Sequence, residues 1–208
     1  MHYSTALSGA ALALVCLACV VALGKARKGY GEGDQTALYC AQLGFALTAA
    51  AAAIGIMRFS IAPSWQAAHL WLSQASDFLA LPLLGAAALT LGRGWIWSKP
   101  TWGRILLGLC AFFELFRQMN RLDDYLLLLQ LSTLSLLLYA SVMQWPRRAP
   151  AAAAAGTCAL FALARLRFGT AQPVDLFHLA QTPAYALLAW LILALPGSSR
   201  TENPAKAL

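Results

Sequence analysis

Apolar runs dominate the chain, and short stretches rich in glycine, proline or charged residues separate them. A helix that crosses a bilayer needs about 20 predominantly apolar residues. Seven runs come close to this length, at residues 4–24, 37–57, 66–92, 104–121, 124–145, 150–166 and 174–195. The pattern predicts an all-α fold, a polytopic membrane helix bundle with about seven transmembrane helices. Because the fourth run contains charged residues and the sixth is short, six helices is the alternative count.

Composition and loop length favour a single membrane domain. We expect residues 1–196 to form one transmembrane helical domain, because the loops are short, and residues 197–208 to form a disordered cytoplasmic tail. Of the 208 residues, 60% are hydrophobic and 11% are charged, whereas a soluble domain has roughly 25% charged residues. The chain is therefore expected to be a multi-pass integral protein of a bacterial inner membrane.

Lysine and arginine are distributed unevenly, and cytoplasmic loops normally carry the excess. The loops after the first, third and fifth runs and the tail hold ten of them: Lys25, Arg27, Lys28, Arg93, Lys99, Arg104, Arg147, Arg148, Arg200 and Lys206. The opposite side holds five: Arg58, Arg117, Arg121, Arg165 and Arg167. This asymmetry predicts an outside N-terminus and a cytoplasmic C-terminus. The net charge of +7 is spread over the loop ends, so membrane lipids are expected partners and nucleic acid is not; protein partners are left open.

The third run carries a polar stripe. His69, Ser73 and Asp77 are four residues apart, a spacing that places them on one face of a helix. An ionisable side chain at this depth costs roughly 2.5 to 3.5 kcal/mol, so it should face the protein interior and find a partner. Asp77 and Ser73 are therefore the candidate catalytic residues. The alternative is that they only hold helices together by hydrogen bonds.

Other polar side chains are predicted to share the leaflet of this stripe. The third, fifth and seventh runs begin on one side of the membrane, and the fourth run ends there. His178 lies about one turn into the seventh run, at the depth of His69, with Asp175 one turn before it. Possible supporting residues near the same level are Glu114, Arg117 and Gln181.

Two imidazoles and a carboxylate at one depth are a donor set for zinc. Catalytic Zn²⁺ sites use three protein ligands and acidify a bound water. The predicted ligands are His69, His178 and Asp175, with Asp77 as a general base or an orienting residue. The alternatives are histidines that only pack and hydrogen-bond, and a Glu114–Arg117 ion pair near the interface.

Two segments resemble motifs of the CREST superfamily of seven-helix membrane hydrolases, which includes alkaline ceramidases and the progestin and adiponectin receptors. The segment HLWLSQASDFLALP is similar to the helix-3 motif, with His69 and Asp77 on its histidine and aspartate. The segment FHLAQTPAY is similar to the helix-7 motif, with His178 on the later of two histidines; the earlier one falls on Val174, and Asp175 could replace it. The resemblance implies a seven-helix fold and a zinc-dependent hydrolase.

The function expected from these residues is hydrolysis of a lipid amide or ester at an intramembrane His/Asp site, with zinc as cofactor. Two alternatives come from other classes. The polar cluster could only stabilise a non-catalytic membrane subunit, a receptor-like module or a small transporter. The two histidines at matched depth could also ligate haem b in an electron-transfer subunit.

Overall fold

The structure is a computed structural model that describes residues 3–60, 62–165 and 174–195, without the side chains of residues 3, 63, 165, 174 and 175. These residues form seven long helices and no strand. The helices are α1 (Tyr3–Arg27), α2 (Glu32–Ser60), α3 (Gln66–Arg93), α4 (Lys99–Gln118), α5 (Leu122–Val142), α6 (Arg148–Arg165) and α7 (Val174–Ala194). A short 3₁₀ turn, Pro63–Trp65, precedes α3. The predicted tail lies outside the described residues.

Five stretches of the described chain are long and apolar enough to cross a membrane: Ser4–Arg27, Glu32–Ser60, Gln66–Arg93, Leu122–Val142 and Leu176–Ala194. Helix α6 is shorter than these, and α4 carries Lys99, Arg104, Glu114 and Arg117 along its length. The prediction of an all-helical fold is confirmed for the described residues, and the five apolar stretches support a membrane-embedded protein. Crossing of the membrane by α4 and α6 stays a prediction, as does the orientation of the termini.

The first and last helices pack side by side. Helix α1 contacts α2 and α7, α2 contacts α3, and α5 contacts the second half of α3. Helix α6 lies against α7 and α5. The common core between them contains fully buried side chains such as Phe45, Leu84, Leu188 and Ile192. Helix α4 lies at the edge, where it contacts mainly α5 and the middle of α3, and its one fully buried side chain is Trp102.

Small residues allow α3 to approach both of its neighbours closely. A methyl group placed on Gly44 of α2 would lie 2.9 Å from the carbonyl oxygen of Ala80. A methyl group placed on Gly92 would lie 3.0 Å from the carbonyl oxygen of Ala140 in α5. Membrane helices associate through such backbone proximity, because lipid provides no hydrophobic driving force between them. These glycines therefore set the position of α3.

One turn of α3, Ser76–Ala80, is π-helical. Pro82 follows this turn. Proline has no N–H, and its ring clashes with the carbonyl four residues earlier, which belongs to Phe78. A widened turn relieves this clash, and single π turns inside α-helices are frequent at functional sites. Asp77 lies in this turn, so Pro82 helps to fix where its carboxylate is directed.

Candidate functional site

A cavity of about 310 Å³ lies between α1, α2, α3 and α7. Its lining residues include Thr5 near the start of α1, Arg58 near the end of α2, His69 near the start of α3 and His178 near the start of α7. The cavity therefore begins at the end of the bundle where α1 starts. Its remaining polar lining consists of Thr48, Ser73, Ser76, Asp77, Gln181 and Tyr185.

Five of the predicted site residues line this cavity: His69, Ser73 and Asp77 from α3, and His178 and Gln181 from α7. The two histidines thus share one site. Glu114 and Arg117 do not line it. They form an ion pair with each other at 2.7 Å, and their side chains are 45% and 57% exposed, respectively. The side chain of Asp175 lies outside the described part of the chain.

The imidazole of His69 contacts groups on α2 and α3. Its Nδ1 lies 3.4 Å from the Ser73 hydroxyl oxygen, and the ring lines the cavity together with Ala51 of α2. In the tautomer that is protonated at Nε2, Nδ1 accepts a hydrogen bond from Ser73. A methyl group on Gly55 would lie 3.1 Å from the His69 Cε1 atom. The ring thus packs closely against α2 and contacts Ser73.

His178 has a different environment. Its Nδ1 lies 3.3 Å from the Ser8 hydroxyl oxygen, and Ser8 donates to the carbonyl oxygen of Thr5 at 3.1 Å. The Ser8 contact therefore links α7 to α1. The hydroxyl of Thr182 donates to the His178 carbonyl at 2.8 Å. His178 is thus linked to another helix, whereas His69 contacts Ser73 of its own helix.

Three hydroxyl groups tie the deeper part of the cavity together. The Thr48 hydroxyl lies 3.2 Å from that of Ser76 and donates to that of Tyr185 at 3.3 Å. These groups belong to α2, α3 and α7, and Thr48 and Tyr185 are both buried. Asp77, next to Ser76, lines the same region. The cluster is a source of hydrogen-bond donors close to the candidate carboxylate.

Arg58 is a lining residue that the sequence analysis did not place in the site. Its guanidinium carbon lies 4.9 Å from the ring centroid of Phe59, and both side chains line the cavity. The signal was available, because the second run ends on the side where the third and seventh begin. The same reasoning about the side on which each run begins and ends, applied to the second run, would have placed Arg58 at the level of His69.

The described residues do not fit a three-ligand zinc centre. Among them, no group of three His, Cys, Asp or Glu side chains is placed to hold a metal ion. A site that includes Asp175 lies beyond the described side chains. Zinc binding by His69, His178 and Asp175 therefore stays a prediction.

Comparisons of the chain with protein-family models, with curated proteins and with solved structures give no match. The resemblance to CREST hydrolases thus rests on the two short motifs alone. The chemistry of the cavity is the remaining guide to function.

Proposed function

We propose that the protein is an intramembrane hydrolase that cleaves an amide or ester bond of a membrane lipid. The observation that carries this proposal is the contact between Ser73 and Nδ1 of His69, in a cavity that Asp77 also lines. A hydroxyl next to an oriented base is the usual arrangement of an activated nucleophile. The motif resemblance favours the same reaction class.

Ser73 is the proposed nucleophile and His69 its base. The distance of 3.4 Å between them is slightly long for a hydrogen bond, but such contacts are often looser before substrate binds. In the tautomer that this role requires, the proton is on Nε2 and Nδ1 has none. This leaves the lone pair of Nδ1 directed at Ser73.

The reaction has two steps. The Ser73 oxygen forms a bond with the lipid carbonyl carbon, and its proton moves to Nδ1 of His69. The bond from that carbon to the lipid nitrogen or oxygen breaks, and His69 returns the proton to the leaving amine or alcohol. Water then attacks the acyl-serine ester, the carboxylic acid is released, and Ser73 regains its proton.

Asp77 is the proposed base for the second step. It lies one helical turn deeper than Ser73, and side chains four residues apart on a helix are neighbours, about 5 to 6 Å apart at Cβ. A water between the two would lose its proton to the carboxylate as it attacks the ester. Gln181, whose side chain lines the cavity and is buried, is a candidate donor to the negative oxygen of the intermediate.

The test is lipid hydrolysis by the purified protein in nanodiscs, with released fatty acid and covalent acyl-protein both measured by mass spectrometry. Ser73→Ala should lower turnover by about 100- to 10,000-fold and form no acyl-protein. Asp77→Asn should accumulate acyl-protein, because acylation proceeds and deacylation stalls. Ser132→Ala and Asp124→Asn, both exposed positions, are the matched controls and should behave as wild type. If lipid is hydrolysed but no acyl-protein is detected in the wild type or in any variant, Ser73 is not the nucleophile.

Metal content and colour test the alternatives in the same sample. One equivalent of zinc in protein purified without chelators would support the metal-dependent hydrolase expected from the sequence. A Soret band would support the haem b subunit instead. Intact lipids in every mixture, with neither metal nor haem, would leave the non-catalytic module as the function.

A further inference from the structure

We propose that Arg58 binds the anionic group, a phosphate or carboxylate, of an acidic membrane lipid whose amide or ester bond then lies at Ser73. This inference rests on the proposed function, and it names the class of substrate. It follows from the position, the ring contact and the charge of Arg58 in the cavity.

The guanidinium of Arg58 is placed to bind a ligand in its own plane. Its carbon lies 4.9 Å from the Phe59 ring centroid, a contact in which the cation lies over the face of the ring. The N–H groups of a guanidinium form a planar fork that matches a phosphate or carboxylate. The two salt bridges in the described part of the chain, Glu114–Arg117 and Arg121–Asp124, do not include Arg58.

Two structural roles are common for an arginine at the end of a membrane helix. Arginine in the last turn of a helix favours the negative end of the helix dipole, and arginine near a membrane interface extends toward water. Either role needs only an exposed side chain outside the bundle. Arg58 instead is half-buried and lines the same cavity as His69 and Ser73. That shared lining is what favours a ligand-binding role.

The order of groups along the cavity matches the order of groups in a membrane lipid. The His69 ring lies against Gly55 of α2, so Arg58 is about one turn nearer the end of the bundle. Ser73 is one turn deeper than His69, and Asp77 is one turn deeper again. At 1.5 Å per residue, about 10 Å of depth separates Arg58 from Ser73. A lipid with its charged group at Arg58 would present its acyl linkage below it.

The charges in the cavity also favour this orientation. Arg58 at the mouth has a permanent positive charge and attracts an anion. An acidic lipid would therefore be held with its charged group at the mouth. A neutral lipid would gain no such preference.

Binding of dodecyl phosphate to the full-length protein in dodecyl maltoside micelles, followed by calorimetry, tests the inference. The protein carries Ser73→Ala to exclude turnover. One saturable site is expected, with Arg58→Gln weakening the Kd by about 10- to 100-fold, the usual effect of losing a charge-assisted hydrogen bond. Arg58→Lys should be intermediate, because it keeps the charge and loses the fork. Arg117→Gln, which removes an exposed arginine, should bind as the parent does.

Three outcomes separate this inference from the proposed function. Equal binding of dodecyl phosphate by Arg58→Gln and its parent, with both folded by thermal melting, would overturn the inference. Inorganic phosphate that binds as tightly as dodecyl phosphate would assign the site to free phosphate and also overturn it. Arg58-dependent binding by a wild-type protein that cleaves no lipid would support the anion site and reject the hydrolase.

Discussion

Substitution of Gly44 by alanine tests whether the close approach of α2 and α3 at the end of the π turn stabilises the bundle. The added methyl group would lie 2.9 Å from the carbonyl oxygen of Ala80, and ordinary contacts begin at 3.4 Å. The two backbones would have to move apart by about half an ångström, since neither atom belongs to a flexible side chain. Overpacking of this kind costs about 1 to 3 kcal/mol.

The same substitution also replaces glycine by a better helix former, and the stability gained in this way can be measured separately. Alanine is roughly 1 kcal/mol better than glycine inside a helix. Gly108→Ala in α4 has this benefit alone, because no atom lies within 4 Å of the new methyl group. We therefore expect Gly44→Ala to be less stable than Gly108→Ala by about 1 to 3 kcal/mol.

The assay is thermal unfolding of both variants in the same detergent. For a chain of this size, 1 kcal/mol corresponds to about 2 to 4 °C in Tm, so the melting temperatures should differ by roughly 2 to 12 °C. Equal melting temperatures would show that α2 and α3 are not in backbone contact at Ala80.

Three further predictions concern topology, the base and the metal. Reporter fusions after Lys99 should be cytoplasmic and fusions near Ser64 external; the reverse result would invert the orientation. Gly55→Val should displace the His69 ring and lower the rate of acylation by about tenfold or more, without loss of folded protein. If this variant is acylated at the wild-type rate, the proposed orientation of the base is wrong. If the predicted zinc site forms, wild-type protein should contain one metal by elemental analysis and His178→Ala should lose it; metal-free wild type would end that prediction.

Helix positions could be predicted because apolar runs are continuous, but their first turns could not. The fourth run was expected from residue 104, whereas α4 begins at Lys99. The Ser98 side chain accepts a hydrogen bond from the Thr101 N–H, and Pro100 is tolerated in a first turn. Hydropathy alone does not distinguish the polar residues of a capped first turn from the residues of a loop.

The shared level of the two histidines could be predicted, but the direction in which each helix faces could not. The third and seventh runs begin on the same side, which placed His69 and His178 at one level, and the two histidines do line one cavity. The same argument placed Glu114 there, yet α4 lies at the edge of the bundle and Glu114 pairs with Arg117 instead. A shared level does not mean direct packing of α3 against α7. In the structure only the second half of α3 contacts α7 appreciably, because α1 and α2 complete the wall between them.

Contact between α1 and α7 has a consequence for biosynthesis. The hydroxyl cluster includes Tyr185, and His178 contacts Ser8, so the cavity joins helices that leave the ribosome far apart in time. A nascent chain with α1 to α6 inserted has no wall on one side of the cavity and lacks His178, Gln181 and Tyr185. Whatever chemistry the cavity performs, it begins only after α7 has been inserted and docked. An incompletely made chain is therefore inert toward the membrane that holds it.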